Sequence, residues 1–474
     1  MRIPTRSMSA NLRWTRSGAV WADWILTGVP YGLRPVKDKM TVRGLHQALF
    51  RALPGESLLL GLCSGLDPAA VVEKMLEGVD LADCPEWVAE CEATLDSLDM
   101  LGPGQRIYWL SVPLGVDKVI DRVKEPARAA MTDFRDALGL PRSPISSADI
   151  ARRQMQAARV AESIPGPFNP VPATPAQMVW LHQHTLRRGL FQDLDLPGAD
   201  DRTTDELLAP KSGAALGEPI LDEGGQTDPE ATKATRLNPA KHKYLKVVDA
   251  AAATDDAATS YQCHLVISDV PSGGMVFPGS ELIGRIDETG LDVDWAMRLT
   301  VRSSATVAHR NRKALKNLRE QYDQRSGEVS HGLNMLDQVA DDLAEYDAIL
   351  TNDKLEVEAQ ATTIFCVAAP DPDNVRAQAR ALSDYLSETG YKLTAPLGYQ
   401  EELWWAMHPG VASTRAVREF AQITTSKNLA ATIPLASVHL GDNKGTLLGV
   451  NIAHGPLFAE NVPCGPTSVV LHDL

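Results

Sequence analysis

The clearest hydrophobic pattern in this chain is a strict alternation between Leu291 and Arg302. The apolar positions are Leu291, Val293, Trp295, Met297, Leu299 and Val301, and they alternate with Asp292, Asp294, Ala296, Arg298, Thr300 and Arg302. Side chains point to opposite faces every second residue of a strand, so this pattern predicts a half-buried strand with one solvent-facing side.

Shorter patterns predict strands and helices along the rest of the chain. The predicted strands are Ala19–Leu26, Ser57–Cys63, Arg106–Leu114, Tyr261–Val270, Ala361–Ala369 and Thr446–Ala453. The predicted helices are Thr41–Leu53, one that begins at Asp67-Pro68, Trp87–Leu98, Ser147–Ala161, Pro175–Arg188 and Asp373–Thr389. The order of these elements indicates an α+β protein with two ferredoxin-like, or split βαβ, lobes and added helices. No clean internal sequence repeat accompanies the two halves.

A long helical hairpin is predicted between two strands of the second lobe, over residues 304–350. Ser304–Arg325 has one apolar stripe, and Leu336, Val339, Leu343, Tyr346 and Leu350 follow in steps of three and four. Residues 301–325 contain seven Lys or Arg and two acids, whereas residues 326–350 contain six acids and no Lys or Arg. We therefore expect an antiparallel hairpin with a basic arm and an acidic arm.

These patterns divide the chain into six successive regions. We expect a flexible basic N-terminus at 1–17, a first α+β lobe at 18–142, a helical connector at 143–196, an acidic mobile linker or insertion at 197–258, a second α+β lobe at 259–460, and the truncated start of a further strand at 461–474. The acidic segment is Gly-rich and lacks aromatic residues, which is why it is expected to be mobile.

Composition and charge place the chain among ordinary globular proteins. Its 474 residues are 44% hydrophobic and 23% charged, and the net charge of −15 disfavours a general electrostatic grip on nucleic acid. Almost half of that charge lies in residues 200–230, which contain nine acids and two bases. Six cysteines without short paired spacings suit a reducing compartment, and no apolar run is long enough for a membrane span.

The motifs of autonomous enzymes are missing from the sequence. No Gly-Lys dipeptide occurs, so a Walker A loop is absent, and neither a Gly-x-Ser-x-Gly elbow nor a His-Glu-x-x-His motif is found. We expect no catalytic residues, no metal ligands and no cofactor on this chain. A third alternative is a catalytically dead or cryptic enzyme with a pocket around Tyr31 or Trp404.

Two groups of residues are candidates for interaction. The first is the basic arm, with Arg310, Arg312, Lys313, Lys316 and Arg319. It could face nucleic acid, phospholipid or an acidic partner, or it could pair with the acidic arm beside it. The second is the pair Trp404 and Trp405, which could be an exposed interface anchor or part of a core.

Several stretches resemble the N-terminal region of the large ATPase of conjugative and type IV secretion systems, in its actinobacterial form. In order, they are Trp21-Ala-Asp-Trp24, Pro278–Ile286, the strand from Leu291, the helical hairpin, the strand and helix from Thr362 to Leu386, Leu403–Pro409, and the tail from Gly445 to Phe458. In that family, such a tail precedes the strand and phosphate loop of a RecA-like motor.

The resemblance implies a docking role, with the chemistry left to the motor. The chain would be cut before the motor or be one product of a split gene, and ATP and Mg would belong to the missing motor. It implies a homo-oligomer, hexameric in the family, that contacts inner-membrane channel proteins and a coupling ATPase at the cytoplasmic face of the membrane, with DNA an indirect partner at most. The alternative is a nucleic-acid-binding accessory protein of a mobile element that uses the basic helix 304–325.

Overall fold

We describe the fold from a computed structural model of the chain. It describes residues 3–32, 34–65, 67–80, 84–101, 104–115, 145–190, 196–198, 216, 219–223, 243–249, 259–271, 277–279, 281–325, 332–437, 445–451 and 455–459. The tail predicted at 461–474 and most of the acidic segment lie outside these residues.

Seventeen strands are described. They are Thr5–Ser9 (β1), Leu12–Thr15 (β2), Val20–Leu26 (β3), Val29–Pro30 (β4), Glu56–Gly65 (β5), Gly104–Leu114 (β6), Val171–Pro172 (β7), Pro219–Asp222 (β8), Leu245–Asp249 (β9), Thr259–Asp269 (β10), Val293–Ser303 (β11), Val357–Ala369 (β12), Lys392–Thr394 (β13), Gln422–Thr425 (β14), Ala436–Ser437 (β15), Thr446–Asn451 (β16) and Gly455–Ala459 (β17).

Eleven α-helices are described alongside them. They are Val36–Ala52 (α1), Pro68–Leu76 (α2), Pro85–Leu101 (α3), Ser147–Ser163 (α4), Pro175–Arg187 (α5), Ser304–Arg325 (α6), Gly332–Asn352 (α7), Pro372–Ser387 (α8), Gln400–Ala406 (α9), Arg415–Glu419 (α10) and Ser426–Leu429 (α11). The mixture of helices with a large antiparallel sheet confirms the α+β class.

Each half of the chain contains a ferredoxin-like lobe. In the first lobe the strands lie in the order β7-β3-β6-β5, and in the second in the order β13-β10-β12-β11. Numbered along the chain, both orders are 4-1-3-2 with antiparallel neighbours, which is the strand order of the split βαβ arrangement. In the first lobe α1 lies in the crossover between the first and second strands, whereas the described part of that crossover in the second lobe contains a 3₁₀ turn, Ile286–Thr289. Each lobe also has a helical hairpin inserted between its second and third strands: α2–α3 in the first lobe and α6–α7 in the second.

The two lobes share one continuous sheet because β5 pairs antiparallel with β11. Outward from this junction the halves match strand for strand: β6, β3, β2 and β1 on one side, and β12, β10, β9 and β8 on the other. Gly61 lies directly opposite Trp295 in the register, and the indole of Trp295 occupies the space where a side chain at position 61 would begin. The junction therefore depends on a glycine that accommodates a buried indole.

Helices cover both faces of the sheet. One face packs against α1, α4 and α8, and the other against α5, α9 and α10. The predicted alternation from Leu291 to Arg302 is a strand, β11, but its polar side is covered rather than solvent-facing: Asp294 and Arg298 are each 3% exposed. The expectation of a solvent-facing side was wrong, because helices from two parts of the chain pack over these polar residues.

Two expectations about irregular segments also need correction. The N-terminus predicted to be flexible forms β1 and β2, and Arg13 in β2 is buried and bonds Asp23 with Nε–Oδ2 3.0 Å. Inside the segment predicted as an acidic linker, β8 and β9 extend the sheet beside β10. Strand pairing satisfies the backbone groups of these short stretches, and the apolar side chains Leu12, Trp14, Leu245 and Val247 are buried.

His46 ties α1 to the chain that returns from the second lobe. Its Nδ1 bonds the Val42 carbonyl at 2.9 Å, and its Nε2 accepts from the Leu435 backbone N–H at 3.1 Å. Because Nε2 accepts, the ring is the neutral tautomer with its proton on Nδ1. Complete burial lowers the pKa of His46 to about 4.

We expect the stability of the chain to fall as pH decreases from 6.5 towards 4, partly because of His46. The folded pKa lies below the unfolded value of about 6.5, so in this window the unfolded state binds a proton that the folded state excludes. The stability contribution is complete above pH 6.5, and it declines by about 1.4 kcal/mol per pH unit below it.

Urea unfolding at several pH values measures this contribution. His46→Gln keeps an acceptor for Leu435 without an ionisable ring, so it should be less stable at neutral pH but lose less stability on acidification. His309→Gln on the exposed side of α6 is the matched control and should follow the wild-type pH profile. Parallel profiles for His46→Gln and wild type would contradict the assignment.

Candidate interaction surface

A single buried carboxylate anchors the α6–α7 hairpin to the sheet. Glu358, near the start of β12, is fully buried and accepts bonds from Arg310 of α6, with Nη1–Oε1 3.0 Å, and from the Tyr346 hydroxyl of α7 at 2.6 Å. Arg302, at the end of β11, adds an Nη1–Oε1 contact of 3.5 Å. The hydrogen bond to Glu358 raises the pKa of Arg310. One side chain therefore fixes both arms and the strand from which they leave.

A second set of contacts holds the two arms antiparallel at the same end. The Asn311 amide donates to the Asp347 carboxylate at 3.0 Å, and Val307 and Leu350 are buried between the helices and the sheet. These contacts keep the basal part of α6 in one orientation. The hairpin predicted from the sequence is thus present as α6 and α7.

The structure separates the five basic candidates into two groups. Arg310 is an anchor bonded to Glu358, so it belongs to the base of the hairpin. Arg312, Lys313 and Lys316 are exposed on the opposite side of α6 from buried Val307 and Asn311. Arg319 also lies on α6, but its side chain is outside the described part of the structure.

The charges of the exposed face are not neutralised by α7. Lys316 pairs within its own helix with Glu320 at 3.6 Å, and Arg312 bonds the Ala308 carbonyl at 3.2 Å. Among the described side chains, no ion pair connects α6 with α7. The interpretation of the basic arm as a partner of the acidic arm therefore has no described salt bridge to support it.

Trp404 and Trp405 are core residues and cannot serve as an exposed anchor. Their exposures are 0% and 1%, and the rings meet edge to face with centroids 4.8 Å apart. Both pack in one cluster with Ile3, Leu186, Leu245, Val247 and Val411. Two adjacent indoles can share a core here because α9 is enclosed by the N-terminal segment, the end of α5 and β9. The interface interpretation of this pair was wrong.

Beneath α5, a buried polar cluster joins the first lobe to the second. Asp294 of β11 accepts from His184 at 2.8 Å, from Arg188 Nε at 2.5 Å and from the Cys63 backbone N–H at 2.8 Å. Burial opposes ionisation of this carboxyl, but the charges of His184 and Arg188 outweigh it and lower its pKa. Helix α5 follows the first lobe in sequence and packs on β9 and β10 of the second lobe. The cluster therefore links the two lobes and has a structural role.

A second buried cation, Arg298, closes the end of α9. Its guanidinium donates to the carbonyls of Ala406 at 2.7 Å, Val411 at 2.8 Å and His408 at 2.8 Å. Burial lowers the pKa of Arg298 to about 10, against the opposing influence of Glu56. Three carbonyl acceptors at a helix C-terminus satisfy donors that would otherwise be buried without partners.

Arg298 also lines a cavity of about 250 Å³ beside the base of the hairpin. Arg302 and Arg418 contribute two further guanidinium groups to its wall. Each of the three is already bonded within the chain: Arg298 to carbonyls, Arg302 to Glu358, and Arg418 to the Ser413 carbonyl at 2.9 Å. Glu56 also lines the cavity, so its charged residues are three arginines and one acid, and the arginines serve the fold.

The described residues contain no group of three or more His, Cys, Asp or Glu side chains placed to hold a metal ion. None of the helices within them combines the length and the hydrophobicity that crossing a bilayer requires.

One charged surface was not predicted from the sequence: the outward face of α3. Residues 66–101 contain ten acids and only one base, Lys74. A count of charge per predicted helix, rather than only per linker, would have found it. Residues 66–101 therefore carry a net charge of −9, compared with −7 for residues 200–230.

A scan against protein-family models gives no match for this chain. A search of the curated proteins gives no significant match either.

Proposed function

We propose that this chain is a non-catalytic oligomerisation and docking region of a type IV secretion ATPase, one that positions an ATP-driven motor at the inner-membrane channel. The observation that carries the proposal is the α6–α7 hairpin, whose base is fixed by buried Glu358 while Arg312, Lys313 and Lys316 remain exposed. A rigid base and a charged outer face suit recognition of another macromolecule.

Two further features support the same role. The resemblance to the N-terminal region of secretion ATPases implies assembly and docking. In addition, buried Asp294 under α5 and buried Arg298 at the end of α9 are bonded to neighbouring side chains and to backbone carbonyls, as expected of structural ties between lobes. ATP and Mg belong, in this proposal, to a motor outside this chain, and the chain lies at the cytoplasmic face of the membrane.

The test compares binding to two membrane preparations. Inner-membrane vesicles from cells that carry the transfer system should retain the purified chain, whereas vesicles from cells without it should not. The purified chain should also fail to turn over ATP. Equal retention by both vesicle types, or robust ATP turnover, would overturn the proposal.

The nucleic-acid alternative predicts a different result in the same protein. A Lys313→Glu/Lys316→Glu variant would then lose DNA affinity and show a shallower dependence of affinity on salt, because it contacts fewer phosphates. The docking proposal predicts no specific DNA binding by either wild type or variant. Salt-dependent DNA binding that this variant loses would favour the accessory-protein alternative.

A further inference from the structure

The two helical hairpins leave the sheet at opposite ends. The α2–α3 hairpin follows β5, and the α6–α7 hairpin follows β11. Since β5 and β11 are antiparallel neighbours, the ends from which they leave, Gly65 and Ser303, are separated by roughly 40 Å along the strand direction. One copy of the chain therefore presents two different arms at two distant places.

The α2–α3 hairpin is an acidic arm with a small core of its own. Val71, Met75, Cys91 and Leu98 form a small core between its helices, separate from the clusters on the sheet. The Trp87 indole donates to the Met75 carbonyl at 3.2 Å and closes this core. The arm therefore has fixed inner and outer faces.

The outer face of α3 is lined with carboxylates. Its exposed acids are Glu86, Glu90, Glu92 and Asp96. They lie on the side of the helix opposite Trp87, Cys91 and Leu98, and none forms an ion pair with another described residue. Residues 66–101 as a whole carry a net charge of −9. The arm is therefore repelled by the acidic remainder of the chain and attracted by a basic surface.

The exposed face of α6 is a complementary surface. Helix α6 contains six Lys or Arg and two acids, and its outward positions Arg312, Lys313 and Lys316 face away from the sheet. The two charged faces cannot meet within one copy, because they project from opposite ends of the same rigid sheet.

We propose that the carboxylate face of α3 in one copy docks on the basic face of α6 in the next copy. This inference rests on the proposed function and specifies the contact through which the region would oligomerise. An interface between two different surfaces is head-to-tail, so successive copies form a ring when the rotation closes. Long-range attraction between the faces orients the encounter and weakens with added salt.

The competing self-association uses the α6–α7 hairpin alone. Asp341, Asp342 and Glu345 are exposed on α7, so two hairpins could pair α6 with α7 around a twofold axis. We favour α3 as the partner because its arm carries a net charge of −9, whereas α7 carries −5 and one of its five acids, Asp347, is already bonded to Asn311.

Mixing charge-reversed variants tests the head-to-tail contact. One variant is Glu86→Lys/Glu90→Lys, and the other is Lys313→Glu/Lys316→Glu. Each alone should show association about tenfold weaker, or more, than wild type in sedimentation velocity at about 50 mM salt. An equimolar mixture should regain association, because the reversed α3 of one variant meets the reversed α6 of the other, and the unchanged faces meet in the alternate contacts.

The control reverses a matched acidic pair elsewhere. Asp384→Lys/Glu388→Lys, at the exposed C-terminal end of α8 and its cap residue, has the same spacing and charge change, and it should associate like wild type. Circular dichroism of every variant checks that it is folded.

Three results would overturn the inference. The first is a wild-type chain that remains a 51.3 kDa monomer at low salt. The second is association that the α6 reversal abolishes but the α3 reversal leaves unchanged. The third is an equimolar mixture of the two variants that stays dissociated. The second result would identify the twofold hairpin contact. Retention by channel-containing vesicles under any of these results would leave the proposed docking function standing while the head-to-tail contact fails.

Discussion

Replacing Gly61 by valine is expected to destabilise the chain by about 3 kcal/mol or more. A Cβ atom at position 61 would lie 2.2 Å from Cε2 of the Trp295 indole, which is 1% exposed and has no free space to enter. The clash can be relieved only by separating β5 from β11, and this is the pairing that joins the two lobes. Urea unfolding measures the loss.

Two companion variants make this result specific. Gly44→Ala in α1 is the control, because a Cβ there meets no atom within 4 Å and a helical alanine should stabilise by about 0.5–1 kcal/mol. Shortening the indole in Gly61→Val/Trp295→Leu should recover part of the lost stability relative to the sum of the single changes. Strict additivity of the two single changes would contradict the proposed contact.

Asp294→Asn is expected to cost about 3–5 kcal/mol of stability. The substitution keeps the size of the side chain but removes the negative charge from buried Arg188 and takes an acceptor from His184. An uncompensated guanidinium under α5 is the cause of the loss, since burial makes an unpaired charge costly.

The adjacent acid provides the control for Asp294. Asp292→Asn removes a carboxylate that reaches solvent and has no ion-pair partner among the described residues. Partial desolvation and the charge of Asp294 raise its pKa, so the effect should be near neutral or slightly stabilising. Equal losses for Asp292→Asn and Asp294→Asn, measured by urea unfolding, would refute the role of the cluster.

The six longest strands of the sheet could be predicted from local patterns. Alternation identified β11, and the hydrophobic stripes together with the opposite charges of α6 and α7 identified the long hairpin. The ferredoxin-like order also follows from the sequence of elements, because split βαβ connections permit few arrangements.

The joining of the lobes could not be predicted from the same patterns. Pairing of β5 with β11 brings together residues more than two hundred positions apart. Nothing in the sequence of either strand indicates which strand it will pair with. For the same reason, the alternation of Asp294 and Arg298 with apolar residues predicted a solvent-facing side. The groups that cover them, His184, Arg188 and the carbonyls after Trp405, come from distant helices.

The interaction surface was predicted only in part. The basic arm was visible as a run of Lys and Arg, but nothing local distinguished Arg310, which a distant buried carboxylate binds, from Arg312 and Lys313, which stay exposed. Trp404 and Trp405 were ambiguous because adjacent positions on a helix normally diverge. The two lobes were predicted from the order of their elements, although no sequence repeat accompanies them, since topology is preserved where local sequence differs.

Zero-length carbodiimide cross-linking between carboxylates and lysines tests the central claim most directly. An equal mixture of ¹⁴N- and ¹⁵N-labelled chains at low salt, analysed by mass spectrometry, distinguishes contacts between copies from contacts within one. The head-to-tail platform predicts mixed-isotope peptides that join Glu86, Glu90, Glu92 or Asp96 to Lys313 or Lys316. Mixed-isotope links from these lysines only to Asp341, Asp342 or Glu345, or no mixed-isotope link to either lysine, would contradict it.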